Sequence, residues 1–420
     1  MSAIAGELSG LRSHRAAQAK SFALLFVLCL PALVPLAAVL TAMLTPETEI
    51  WAHLARHVLP GVLGNTLVLV VGVSLATAVL GTGLAWLTAT CDFPARRFFE
   101  WALLLPLAVP SYVLAFIAVG FLDYAGPLQS WLREVFGSSS WVPPIRSTGG
   151  VICVLTLSLY PYVYLLARSA FLTQGRRAQE AARTLGMSAF KAFWRVVLPL
   201  ARPWIVAGTA LVAMETLADF GAVSVFNYDT FTTAIYRAWF GMFSIDAALE
   251  LAAVLLAFVL VVFVLERRSR AKLRFTTTRD VSHRAPRVEL RGGRAFAAAA
   301  VAALIFALGF LLPLLQLAVW AITRARMDFD ARYVGFLWHS LLLASSAALI
   351  IAAASLVVAY MERRHSSLAL RTLVRGATMG YAIPGTVLAV GILVPIIGLN
   401  NLLQDLLARW FGDAAPSVLL

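Results

Sequence analysis

Long apolar runs and short charged ones alternate along the whole chain. Runs of about 20 predominantly apolar residues, the length a helix needs to cross a bilayer, lie at roughly 21–43, 65–88, 100–122, 149–171, 203–225, 246–265, 297–321, 339–361 and 374–398. A tenth run begins at Pro416. Alternation of period two is not visible, and the runs are too long for strands. The pattern therefore predicts an all-α integral membrane protein, a polytopic helical bundle of nine or ten spans. One interlude stands apart. Residues 266–294, ERRSRAKLRFTTTRDVSHRAPRVELRGGR, carry few apolar positions and many charges, and read as a basic cytoplasmic linker.

Composition agrees with the pattern. The 420 residues are 61% hydrophobic and 13% charged, where a soluble domain is nearer half and a quarter. The net charge of +13 raises nucleic acid as a partner, but no basic folded domain is left over to bind it. The bases fall instead in alternate short loops. Arg12, Arg15 and Lys20 precede the first span, Arg96 and Arg97 follow the second, and Arg176 to Arg202 follow the fourth. The linker follows the sixth span, and Arg363, Arg364, Arg371 and Arg375 follow the eighth. This is the positive-inside distribution, and it places the N-terminus in the cytoplasm. The first apolar run exceeds the core of a signal peptide, so it reads as an uncleaved helix. Cys29, Cys91 and Cys153 are too scattered for a disulfide framework or a metal site.

The chain also repeats itself across the linker. At an offset of 274 residues, Pro110 falls on Pro384 and Val113-Leu114-Ala115 on Val387-Leu388-Ala389. At the same offset Asn65-Thr66-Leu67 falls on His339-Ser340-Leu341; one residue later, Phe136-Gly137 falls on Phe411-Gly412. The implied organisation is a first half at 1–265, the linker at 266–294, and a second half at 295–420. A repeat unit of six spans is even, so both copies enter the membrane in the same sense, unlike the inverted repeats of many secondary transporters.

Residues 180–203, EAARTLGMSAFKAFWRVVLPLARP, interrupt this apolar chain with Glu180, Arg183, Lys191, Arg195 and Arg202. Helix formers lie on both sides of Gly186, and glycine permits positive φ, so the segment predicts a helix, a sharp turn and a second helix. Phe190, Phe193, Val196 and Val197 form an apolar stripe. Pro199 and Pro203 mark the return into the membrane. Physics alone leaves two readings: an amphipathic loop on anionic lipid, or a docking element for a cytoplasmic partner.

The segment resembles the EAA loop of binding-protein-dependent ABC importers. Glu180, Ala181, Ala182, Gly186, Leu198 and Pro199 match that pattern position by position. The resemblance implies a permease subunit in the bacterial inner membrane. Its loop would fit a groove on a separate ABC ATPase, and a periplasmic substrate-binding protein would deliver the substrate. Residues 215–239 are similar to the region after the EAA loop in ferric-iron permeases with two fused halves, particularly Leu217-Ala218-Asp219-Phe220-Gly221 and Thr232-Thr233-Ala234-Ile235-Tyr236-Arg237. Ferric iron is accordingly the substrate the resemblance implies. The pattern departs from that family in one respect: a second EAA loop would begin near about position 454, past Leu420, so the second half is expected to be incomplete.

The chain shows no enzyme motif. There is no GxxxxGK[ST] loop, HExxH, GxSxG or zinc spacing, so ATP hydrolysis is expected in a partner, and neither a cofactor nor a bound metal is expected. Glu215 and Asp219 lie four apart in a span, on one helical face. Intramembrane acids usually face a bundle interior or an aqueous cavity. Glu215, Asp219, Phe220 and Gly221 are therefore the candidate translocation gate; the alternative is that both acids pair with a base or backbone on a neighbouring helix. His53 and His57 share a face but have no third ligand nearby. Pro110 and Pro384 are expected to kink their helices. Two other function classes stay open on residues alone: an ion-driven secondary carrier, which leaves the EAA loop unexplained, and a non-transporting membrane scaffold.

Overall fold

Inside a hydrocarbon layer every backbone polar group must be satisfied within the crossing segment, and a helix does this. The computed structural model describes residues 2–44, 48–175, 178, 181–182, 184–271, 287–328, 331–364, 368–378, 380 and 383–411. Among the described residues, nine helices are long and apolar enough to cross a membrane, and they overlay the nine predicted runs. The run from Pro416 lies outside the described residues.

The chain forms α1 (Ser2–Ala42), α2 (Leu59–Thr90), α3 (Arg96–Ala102), α4 (Ser111–Leu122) and α5 (Pro127–Phe136). It continues with α6 (Thr148–Ala170), α7 (Leu198–Ala218), α8 (Gly221–Val225), α9 (Phe231–Tyr236) and α10 (Ile245–Ala271). Beyond the linker come α11 (Gly293–Phe306), α12 (Leu312–Asp328), α13 (Ala331–Arg364), α14 (Leu368–Thr378) and α15 (Gly385–Phe411). Two short strands, β1 (Cys91–Asp92) and β2 (Val288–Glu289), pair in parallel, Cys91 with Val288 and Asp92 with Glu289. Strand pairing between a loop after the second span and the far end of the linker was not legible in the sequence.

Two compact units result. One holds Glu47–Ala321; the other holds Met1–Pro46 with Ile322–Leu420. These units cut the chain differently from the repeat, since α11 and most of α12 belong with the spans before the linker.

The larger unit is built on α6, which has 61% of its apolar window buried, the highest share of any span. It packs against α2 and α7, and α7 packs in turn against α10. Tyr160 and Tyr164 of α6 are fully buried. Each phenol still finds a carbonyl, Tyr160 on Leu103 O at 2.9 Å and Tyr164 on Glu100 O at 3.0 Å. Buried threonines return their hydroxyls to the preceding turn, as Thr77 does to Val73 O and Thr216 to Val212 O. Polar side chains thus sit in apolar spans without unmet donors at these positions.

In the smaller unit α1 packs against α14 and α15. Helix α13 is apolar all round, and none of its apolar window is buried. A helix hydrophobic on every face needs an apolar surrounding, which the bilayer supplies.

Three predicted spans, 100–122, 203–225 and 374–398, are discontinuous. The run 100–122 breaks over residues 103–110, where a 3-10 turn (Leu105–Ala108) and an extended Pro110 precede α4. Proline has no N–H and starts a helix more readily than it continues one. Pro384 plays the same part before α15. Each proline carbonyl accepts from the residues three and four ahead: Val113 and Leu114 in one case, Val387 and Leu388 in the other. Both prolines therefore start helices rather than kink them. The likeness ends further on, because α4 and α5 are separated at Asp123–Gly126 whereas α15 runs unbroken from Gly385 to Phe411. The run 203–225 is also broken, at Asp219.

Candidate functional site

The EAA-like segment has the local geometry its sequence asks for at Gly186. That residue sits at φ +82°, in the left-handed region where a side chain is costly. Leu185 N–H donates to Ala181 O, and Met187 N–H donates to Ala182 O at 3.0 Å. The second bond is the six-to-one closure of a helix ended by a C′ glycine. Ala182 is buried; Ala181, Thr184, Leu185 and Gly186 are exposed. Glu180 and Arg183 lie outside the described residues.

A second helix begins at Ala189 and does not stop at the prolines. It passes through a π-turn at Phe193–Val197 into α7, so the span runs as one helix from Phe190 to Ala218. The expectation that Pro203 lies near the first turn of the next helix needs correction, because the helix already runs before Pro199 and Pro203. Leu198 N–H reaches back to Phe193 O, and this wide turn ends immediately before Pro199, which has no N–H to give. Of the apolar stripe, Val197 is buried, Phe193 and Val196 half-buried, and Phe190 exposed. Phe193 rests on Trp86 at the end of α2, ring centroids 4.3 Å apart, and faces Phe171 at 6.3 Å. Phe190 and Trp194 project outward as an exposed aromatic pair.

The second candidate region forms where the broken spans meet. Helix α7 ends at Ala218; Asp219 is extended, and α8 begins at Gly221. The Asp219 Oδ1 accepts from Ala222 N–H at 2.9 Å and Val223 N–H at 3.1 Å. Its Oδ2 accepts from the Ser111 hydroxyl at 2.5 Å, at the start of α4. Its backbone carbonyl accepts from Thr232 Oγ1 at 2.7 Å. One residue thus ties together the end of α7, the start of α8, the start of α4 and the start of α9. A carboxylate at a helix N-terminus is favoured by its free N–H groups and the helix dipole.

Gly221 permits the approach of α8 to α4. A Cβ there would lie 2.6 Å from Tyr112 Cβ. Phe220 stacks obliquely on Tyr236 at 5.0 Å, and Tyr236 on Phe240 at 4.8 Å. Glu215, one turn before Asp219, is half-buried and has no hydrogen bond or ion pair among the described residues. The predicted quartet is therefore brought together, but its two acids differ: Asp219 is fully engaged by backbone and hydroxyl donors, while Glu215 is not.

Sequence reasoning missed Ser111, and it took Thr232 only as part of a family likeness. It also missed Arg146, which donates to Asp123 Oδ2 at 3.1 Å and to Val225 O at 2.8 Å. Arg146 thereby fixes the far end of α8 to the far end of α4. No pattern signals these partners, because Ser111 and Asp219 are 108 residues apart. A cavity of about 280 Å³ opens nearby, lined by His57, Asn65, Asp229, Arg237 and Met242 among others, with Asp229 paired to Arg237. His53 and His57 have ring centroids 5.0 Å apart. Among the described residues, no three His, Cys, Asp or Glu side chains cluster as a metal site.

Comparison with known proteins places this architecture. Residues 78–274 match the family described as binding-protein-dependent transport system inner membrane component. The chain is 33% identical over 237 residues to the Fe(3+)-transport system permease protein FbpB 2 of Haemophilus influenzae, covering 56% of this chain and 42% of that one. It is 30% identical over 191 residues to a probable molybdenum ABC transporter permease protein of Haloferax volcanii, covering 44% and 67%. It is 28% identical over 203 residues to the sulfate transport system permease protein CysT of Escherichia coli, covering 48% and 70%. The chain spans less than half the length of the ferric-iron relative. It belongs to the binding-protein-dependent inner membrane components, the permease subunits of ABC importers. It is accordingly a multi-pass inner-membrane protein.

Proposed function

We propose that this chain is the translocating subunit of an ATP-driven importer, coupled through residues 180–203 to a separate ATPase and supplied by a periplasmic binding protein. The observation that carries the reading is the turn at Gly186. It ends one short helix and starts another that runs without interruption from Phe190 into the span ending at Asp219. A push on the loop is thereby delivered to the helix break where spans meet, and Glu180, Ala181, Ala182, Gly186, Leu198 and Pro199 are the coupling residues. The N-terminus lies in the cytoplasm with the loop.

We assign ferric iron as the substrate. The likeness to a ferric-iron permease supports it, and so does the charge at the break. Asp219 already occupies the N-terminus of α8, where an oxyanion would otherwise find free N–H groups. Glu215, which has no hydrogen bond or ion pair among the described residues, adds a second carboxylate one turn earlier. The gate quartet of Glu215, Asp219, Phe220 and Gly221 therefore suits a cation better than sulfate or molybdate. The test is uptake into proteoliposomes holding the chain with its ATPase and binding protein. Radioactive ferric iron should accumulate only with ATP, and sulfate and molybdate should not. Accumulation of an oxyanion instead of iron would overturn the substrate assignment.

A further inference from the structure

Arg96 reads in the sequence as one more cytoplasmic positive charge, but it is only 6% exposed. A guanidinium removed from water needs close compensation. Asp92 supplies part of it, through Oδ1 on Arg96 Nε at 3.0 Å; Glu100 supplies the rest, paired with Arg96 Nη1. The same Glu100 carboxylate also meets Arg168 Nη2 at 3.3 Å and Arg287 Nη2 at 3.7 Å. One carboxylate thus serves three guanidiniums from three segments: α3, the last turn of α6, and the far end of the linker.

Each segment is held in a second way. The Glu100 carbonyl accepts the Tyr164 hydroxyl, which also lies 3.1 Å from Thr88 Oγ1 of α2. The linker end pairs as β2 with β1, and Leu290 N–H donates to Asp92 O at 3.0 Å. Leu290 packs on the same buried core as Trp86 and Phe193. Three residues beyond Arg168, Phe171 meets Trp86 edge-on at 5.5 Å. The coupling segment follows α6 in the chain, and its second half rests on the same Trp86 through Phe193. Glu100 is therefore paired to the last turn of the helix that precedes the segment, and to the linker end that packs on the same core as Phe193.

We propose that Glu100 is a positioning residue for coupling. It locks the last turn of α6 and the return end of the linker onto α3, so that movement of the 180–203 loop is passed to the spans together and not absorbed in the loop's own base. This inference rests on the coupling role proposed for that loop. The experiment compares wild type with Glu100→Gln, Glu100→Asp and Arg287→Gln in proteoliposomes holding the whole chain with its ATPase and binding protein. Radioactive ferric iron is the probe, and iron imported per ATP hydrolysed is the readout. Glu100→Gln should keep its ATPase rate within about twofold yet import about tenfold less iron per ATP, with partial recovery in Glu100→Asp. Arg287→Gln, which leaves the buried Arg96 paired, should fold normally and show a smaller loss in the same direction. Hydrogen exchange on the purified full-length chain should quicken at Leu290 and at 171–175 in both glutamine variants. Unchanged import per ATP and unchanged exchange in both, beside a coupled wild type, would overturn the lock. ATPase binding that survives both Gly186→Pro and deletion of 180–199 would overturn the coupling role of the loop instead.

Discussion

Asp219 shows how one side chain can decide a local architecture. It accepts from two amides and one hydroxyl, and its carbonyl takes a second hydroxyl. Asp219→Ala would strip partners from donors inside a span, at roughly 1–3 kcal/mol for each donor left unsatisfied. The expected outcome is loss of transport with normal amounts of chain in the membrane fraction, checked by uptake and by quantitative blotting. Gly221→Ala acts on the same joint by a different route. Its methyl carbon would collide with Tyr112, and overpacking of this kind costs typically 1–3 kcal/mol. We expect reduced uptake from Gly221→Ala, and partial recovery when Tyr112→Gly removes the Cβ that the new methyl meets. Recovery is what separates a packing cost from any special conformational need at Gly221. Residue types pointed to the acid pair, because charged groups stand out in apolar runs, whereas Gly221 came with the family likeness over 217–221. They could not show that Asp219 is satisfied while Glu215 is not, since that depends on Ser111 and Thr232 arriving from elsewhere in the chain.

At the scale of elements, what the sequence revealed and what it hid have distinct causes. All nine apolar runs became helices because length and hydropathy suffice to demand it. Breaks within the runs were hidden, because the extended residue at Pro110 and the cap at Asp219 both lie in stretches that stay largely apolar on either side. The parallel pair β1–β2 was invisible, since two residues carry no period and four spans lie between its strands in the sequence. Arg96 was misread for a related reason. Its position after a span fits the positive-inside rule, and only the fold shows that Asp92 and Glu100 pair with it and that Arg168 and Arg287 share Glu100. The π-turn before Pro199 yields a prediction of its own. Pro199→Ala restores the missing N–H and removes the clash with the preceding turn, so stability should rise by roughly 1–3 kcal/mol. The same change should rotate the coupling segment relative to α7 and lower ATP-driven uptake. Thermal unfolding and transport, measured on one preparation, check the two signs together.

For the whole molecule, the spans and the family membership define a permease, and the substrate and coupling follow as proposals from particular sites. Pro110 and Pro384 start their helices in the same way, each in its own unit, which is what the repeat at an offset of 274 residues leads one to expect. The continuous α15 departs from it, so the equivalence of the halves is local to the proline. The central claim concerns residues 180–203 as the joint to a separate ATPase, and Gly186 gives access to it with little disturbance of the spans. At φ +82° asparagine is tolerated, whereas proline, fixed near −65°, is not. The most direct measurement is the amount of ATPase that copurifies with the detergent-solubilised chain carrying wild-type Gly186, Gly186→Asn, Gly186→Pro, or a deletion of 180–199. The account predicts retention with the first two and loss with the last two, at equal yields of chain. Retained ATPase in the proline variant and in the deletion would contradict it.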